Sequence, residues 1–308
     1  MIGVLVMAYG GPDNLDEVEP YLLDVRGFRP TAPAIIHEVR ERYREIGGRS
    51  PILERTRAQA EALQTALDTG GSEFKTLTGM RHWRPYIKDS LASLAQQGVT
   101  RVVTLAMAPR YSRLSIGAYD KKVDEAIAAA GAPLEIARIE HWHLLPGYLD
   151  TLTDHVRSAL GRFPAELRAD VLIIFTAHSL PQRILEWQDL YPAELLATVD
   201  AVMERLGPHP HRFAFQSAAI SPDPWLGPDA GTVIAVLAGA GHRHVLVAPV
   251  GFVCEHVEIL YDVDVVFQRQ ARSLGVQLER IEMLNTAPAM IDGLATLVRQ
   301  RAAEAGWL

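Results

Sequence analysis

Short apolar runs rich in Val, Ile and Leu alternate along this chain with amphipathic stretches of helix length, and the alternation occurs twice. In the first half, strands are expected at Gly3–Ala8, Phe74–Gly79, Arg101–Ala108 and Leu134–Ile139. In the second half they are expected at Val171–Thr176, Arg212–Ser217, His244–Ala248 and Val276–Ile281. Helices are expected between them, for example over Pro51–Asp68, Ile116–Ala130, Glu194–Leu206 and Cys254–Arg272, with a last one over Ala287–Ala303. Near-continuous apolar strands separated by helices bury both their faces, which is the condition of parallel sheets covered by helices on each side.

The halves also match in detail. Val4–Ala8, Tyr9 and Pro12 parallel Leu172–Ala177, His178 and Pro181: an apolar strand ends in Ala, one polar ring follows, and Pro closes the turn. Leu105–Pro109 parallels Val245–Pro249 in the same way. The expected fold class is therefore α/β, with two similar Rossmann-like lobes, each a parallel β-sheet flanked by helices. Residues 1–145 would form the first lobe and 146–308 the second, joined where Pro146-Gly147 interrupts the pattern; the final helix is compatible with packing back on either lobe. Ligands of open α/β sheets sit beyond the carboxyl ends of the strands. Tyr9 and His178 occupy equivalent strand ends and are expected to approach one flat ligand from opposite faces.

Composition narrows the function class. The 308 residues, 48% of them hydrophobic, suffice for one large core or two ordinary ones. A net charge of −7 disfavours a nucleic-acid partner. Cys254 is the single cysteine, so neither an internal disulfide nor a four-cysteine iron–sulfur cluster is expected. The first residues, Met1-Ile2-Gly3-Val4, carry no basic leader signal, and no apolar run approaches the length of a membrane span. A cytoplasmic location without an integral membrane segment is the expectation.

No dinucleotide GxGxxG, no P-loop and no GxSxG elbow is present. Three other features carry chemistry. His178 sits in the turn Ala177–Pro181, where an imidazole can ligate a first-row metal or accept a proton, although a lone histidine is more often structural. On a helix, Glu255, Glu258 and Asp262 would form one acidic stripe beside apolar Val253, Val257, Leu260 and Val263, suited to a cation path or simply facing solvent. Between Arg26 and Arg57, eight arginines stand against four glutamates, a +4 segment inside a −7 chain. Planar guanidinium forks suit a small multi-carboxylate ligand. The competing reading is a solvated helix face with Glu38–Arg42 and Glu41–Arg44 ion pairs. The Pro-rich loop Ser221–Asp229 reads as rigid, either walling a pocket or bracing one.

Taken in order, Met7-Ala8-Tyr9-Gly10, Arg42-Tyr43 with Gly47–Pro51, Ala177–Pro181, Pro222–Asp229 and Glu255–Asp262 resemble the ferrochelatases, over about Val4 to Asn285. The resemblance implies a lyase that inserts Fe²⁺ into a porphyrin in haem biosynthesis, with iron as substrate and no permanently bound cofactor. By the same resemblance His178 and Glu258 are the catalytic, metal-handling pair, with Asp262 and Glu255 on a possible outer metal path. Tyr9, Arg26, Arg42, Tyr43, Ser50 and Tyr119 match positions that hold the macrocycle or its propionates. Val266 stands where relatives can carry a further carboxylate, which puts an outer or regulatory metal site in doubt, and Arg110 replaces a frequent histidine. Tyr9 and the arginine patch favour coproporphyrin III over protoporphyrin IX, because coproporphyrin carries four propionates. The expected partners are that porphyrin, ferrous iron and a downstream haem-accepting or decarboxylating enzyme, with the protein itself a monomer. The alternatives are a cobalt or nickel chelatase on the same fold, a non-catalytic haem or porphyrin carrier, and a small-anion binding protein.

Overall fold

β1 (Ile2–Ala8) is buried along its whole length, as an apolar strand must be when helices cover both faces of its sheet. A computed structural model describes residues 1–69, 73–130, 134–219 and 223–308. The chain forms two units, one comprising Met1–Gly147 with Asn285–Leu308, the other Tyr148–Leu284.

In the first unit β1 pairs in parallel with β2 (Phe74–Met80) on one side and β3 (Arg101–Ala106) on the other, and β4 (Glu135–Ile139) closes the order β2-β1-β3-β4. Helices α1 (Val18–Val25), α2 (Pro33–Glu45), α3 (Ile52–Asp68), α4 (Ile87–Gln96) and α5 (Ile116–Ala130) connect the strands. Leu5, Met7, Leu91, Leu94, Val102 and Val123 make one of its core clusters, between the sheet and α4 and α5.

In the second unit β5 (Leu172–His178), β6 (His211–Gln216), β7 (His244–Ala248) and β8 (Gln277–Arg280) follow the order β6-β5-β7-β8, all parallel. The two sheets have the same topology, so β1 corresponds to β5 and β3 to β7, as the sequence parallels required. Here α6 (Pro146–Leu160), α7 (Tyr191–Leu206), α8 (Ala230–Gly239), a π-helix (Glu258–Phe267) and α9 (Gln268–Ser273) cover the strands, with Ile174, Ile234, Val247, Ile259 and Val263 in the core.

Two expectations need correction, and one left open is decided. The division falls after Gly147, in the first turn of α6, rather than after residue 145. The final helix, compatible with either lobe by sequence, goes with the first: α10 (Pro288–Glu304) packs on α3 and β4. Arg299 donates to the C-terminal carbonyls of α3, Ala66 and Leu67, at 2.8 and 3.0 Å, and Arg301 donates to Arg138 O at 2.9 Å. The Arg299 guanidinium satisfies backbone acceptors that a helix end leaves open, and that of Arg301 an acceptor in β4. The helix expected from Cys254 begins only at Val257–Glu258, and its core side is Ile259, Val263 and Phe267; of the four apolar residues expected there Val263 is on that side, Val253 is buried in the preceding loop, and Val257 and Leu260 are half-buried. The cause lies at Gly251, where an added Cβ would stand 2.6 Å from Ala177 Cβ and 2.7 Å from its Cα. The chain passes so close to the end of β5 that residues 252–256 run past it before a helix can start. Among the described residues no helix is long and apolar enough to cross a membrane.

Candidate functional site

The carboxyl end of β5 gathers the chemistry of the second unit. His178 is the last residue of β5, in register with Gln216 at the end of β6. The turn beyond it is braced by the Pro-rich loop: Ser179 Oγ donates to Leu226 O at 2.8 Å, Gln182 N to Pro224 O at 2.8 Å, and Leu226 N to Leu180 O at 2.9 Å. Trp225 stands edge-on to the His178 ring at 6.2 Å, and Asp229 accepts from Thr232 N to cap α8. From 223 onward this loop is a brace; Ser221 and Pro222 lie outside the described residues. Tyr191 Oη donates to His178 O at 2.8 Å and fixes the backbone of the histidine.

The π-helix brings Glu258 to this strand end. His178 Nδ1 and Glu258 Oε2 are 3.1 Å apart; their side chains are 33% and 29% exposed, but these two facing atoms are themselves buried. Neither atom has an aligned hydrogen-bond partner despite that separation. Burial alone would lower the His178 pKa, but the Glu258 carboxylate and then Asp262 outweigh it and raise it. Burial alone would raise Glu258, yet His178, with His256 adding, holds its carboxyl far below the ordinary carboxylate range. Strongly perturbed groups at a strand end mark a candidate working site. A π-segment there is in keeping, since such segments are frequent at functional sites.

Asp262 lies one turn beyond Glu258 and accepts from Ser217 Oγ. Ser217 holds φ at 62°, a left-handed backbone that costs energy in a non-glycine residue. Glu255 is not on the helix, so the expected three-carboxylate stripe reduces to Glu258 and Asp262, with Glu255 in the preceding loop. Val266 is 38% exposed and adds no ligand. Sequence reasoning assigned no role to His256, whose Nε2 lies 3.7 Å from Glu258 Oε2 while its Nδ1 meets Cys254 O at 3.2 Å. Its position two residues before Glu258 was the available signal. Gln216, which donates to Glu258 O at 2.9 Å, had none, because strand register decides it.

The first unit spreads its six expected residues over several elements. Tyr9 follows β1 directly and is 39% exposed. Arg26 caps the C-terminus of α1 and is exposed. Arg42 and Tyr43 are on α2; Tyr43 is buried, and Arg42 pairs with Glu38, as Arg44 does with Glu41. Both expected ion pairs therefore form, and the bland reading of that helix face is correct as far as it goes. Exposed pairs of this kind contribute little to stability. Ser50 is buried against Gly11, where a Cβ would meet Ser50 Oγ at 2.5 Å. Tyr119 is buried on α5, with Arg81 over its ring at 5.7 Å.

The ferrochelatase family profile matches residues 1–302, nearly the whole of this chain. The chain belongs to the ferrochelatase family. It is 42% identical to a ferrochelatase of Herpetosiphon aurantiacus over 96% of this chain and 97% of that one. It is 36% identical to a coproporphyrin III ferrochelatase of Geobacillus thermodenitrificans over 99% and 97% respectively. The structure of SirB from Bacillus subtilis with Fe3+ shares the fold, with a TM-score of 0.63 at 8% identity over 99% of this chain and 97% of that one. Membership in the ferrochelatases makes the protein a metal-chelating enzyme, and its two four-stranded parallel sheets are those of chelatases.

Proposed function

We propose that this ferrochelatase inserts Fe²⁺ into coproporphyrin III, releasing two pyrrole protons, as a lyase of haem biosynthesis acting in the cytoplasm. The observation that carries the reading is the His178–Glu258 contact of 3.1 Å, two ligand-capable atoms with no aligned hydrogen bond of their own, at a strand end in a ferrochelatase. Iron is substrate here, and no resident cofactor or iron–sulfur cluster takes part.

Metallation demands that Fe²⁺ lose water while two N–H bonds break. A planar ring hides its nitrogen lone pairs, so binding in a bent form lowers the barrier. In this proposal Glu258 meets the incoming iron, with Asp262 on the outer path and Glu255 in the loop before it. His178 accepts a pyrrole proton while its imidazole is neutral, or ligates the iron in that same neutral form; protonated, it does neither. His256, beside Glu258, steadies the carboxylate. Tyr9, Arg26, Arg42, Tyr43, Ser50 and Tyr119 hold the macrocycle, the arginines pairing with propionates. The choice of coproporphyrin rests on the arginine segment, on Tyr9 and on relatives of that name.

The test is anaerobic incubation with Fe²⁺ and either coproporphyrin III or protoporphyrin IX, followed by visible absorbance. Faster metallation of coproporphyrin is expected. Preference for protoporphyrin would overturn the substrate assignment, and tight porphyrin binding without turnover would make the protein a carrier.

A further inference from the structure

Beyond the ladder of β1 and β2 the two chains stay bonded for two residues more: Arg81 N donates to Ala8 O and His82 N to Tyr9 O, each at 2.9 Å. The pairing delivers the His82 ring to the Tyr9 ring, with centroids 4.7 Å apart and planes at 52°. His82 is itself held from behind. Its Nδ1 is 2.8 Å from Asp24 Oδ1, in a nearly buried pair with side chains 10% and 18% exposed. That partner assigns the proton to Nδ1, which donates to the carboxylate. Burial, with the Arg81 charge adding, lowers the His82 pKa against the pull of Asp24, in keeping with a neutral ring. Arg81 meets Tyr9 from another direction, with its guanidinium carbon 5.6 Å from the Tyr9 centroid and 5.7 Å from that of Tyr119, and its Nη1 donates to Leu114 O at 3.1 Å. The segment cannot retreat easily, because Gly10 (φ 95°) lets the Trp83 backbone come so near that a Cβ on Gly10 would stand 2.9 Å from Trp83 N. Trp83 in turn donates through Nε1 to Glu17 at 3.1 Å.

We propose that Asp24, His82 and Arg81 form a clamp that positions the Tyr9 ring, so that Asp24 and His82 act on metallation through Tyr9 without touching the porphyrin. The proposal rests on the functional reading in which Tyr9 faces the macrocycle. His82 and Asp24 are positioning residues: an aromatic side chain at a strand end rotates freely unless packed, and here one face meets an imidazole whose orientation a carboxylate fixes. Arg81 adds a cation over the π-face and links Tyr9 to Tyr119.

The experiment is a double-mutant cycle with an independent spectroscopic readout. Asp24→Ala is expected to lower kcat for porphyrin metallation about tenfold while the porphyrin KM stays within about twofold, and Asp24→Asn, which keeps an acceptor oxygen, to recover most of the loss. In a Tyr9→Ala background Asp24→Ala is expected to have no further effect on kcat. A purely structural role would give equal losses in both backgrounds and would overturn the clamp. In protein labelled with ring-¹³C tyrosine, the Tyr9 resonance, assigned by its disappearance in Tyr9→Phe, is expected to move and broaden in both Asp24→Ala and His82→Gln. An unchanged Tyr9 signal in folded variants would refute the proposal even if activity fell. A wild-type protein that metallates no porphyrin would sink the functional reading alone, and the tyrosine signal would still decide whether the clamp exists.

Discussion

The turn after β1 and the end of β5 are the same piece of architecture, an apolar parallel strand delivering one polar ring, used with opposite electrostatics. After β1 the histidine that accompanies the strand end, His82, is buried, bonded to one carboxylate and lowered in pKa. At the end of β5 His178 is a third exposed, lies 3.1 Å from Glu258 with Asp262 behind it, and is raised. One environment keeps an imidazole neutral and fixed; the other makes it responsive to charge. Burial opposes the charged ring at both ends; the charges decide the difference, since Glu258 and Asp262 act together on His178 whereas Arg81 works against Asp24 at His82, and the topology, identical in the two sheets, does not.

That contrast can be broken most decisively at His178. Replacing it with alanine is expected to lower kcat by roughly a thousand-fold, in the range of a lost proton acceptor, while porphyrin affinity stays within about threefold. Single-turnover absorbance would check the first and fluorescence titration the second; retained turnover would remove the second unit from the chemistry. Next in size is Gly251→Ala. Its Cβ would meet Ala177 backbone, so a loss of about 3 kcal/mol is expected by thermal unfolding. Gly11→Ala, pressing on the Ser50 side chain instead, is expected to cost less, about 1–2 kcal/mol. Equal losses would mean that the loop before the π-helix is not tightly applied to β5.

Arg42→Ala tests the first unit's share. A charge-assisted bond to a propionate is worth about 1.5 kcal/mol, so porphyrin affinity is expected to fall about tenfold with kcat at saturation preserved. Unchanged affinity would count against Arg42 as a propionate partner. The smallest effect concerns pH. His82, lowered from 6.5, contributes stability above that value and loses it as pH falls, because the unfolded chain then binds more protons. His178, raised from 6.5, contributes fully below that value and loses it as pH rises through its folded pKa. His82→Gln should therefore lower Tm more at about pH 8 than at about pH 5.5, and His178→Gln the reverse. Like signs would show that the two strand ends share one environment.

Much of this was legible beforehand. All eight strands, the repeat of topology and the neighbourhood of His178 follow from apolar periodicity and from Ala-ring-turn-Pro signatures, which are local in sequence. The start of the π-helix was not, because an i, i+3, i+7 pattern of carboxylates reads as α-helix whether or not Gly251 forces the chain past β5. Nor were Asp24–His82 or Gln216–Glu258 legible, since their partners are 58 and 42 residues apart.

By itself, then, the sequence determined the fold class, the two matching strand ends and the residue types available there, since burial periodicity and turn chemistry act over a few residues. Tertiary structure decided which carboxylate faces which imidazole and how wet each pair is. It also placed the last helix with the first unit, because those outcomes depend on register and on close approach between segments far apart in the chain.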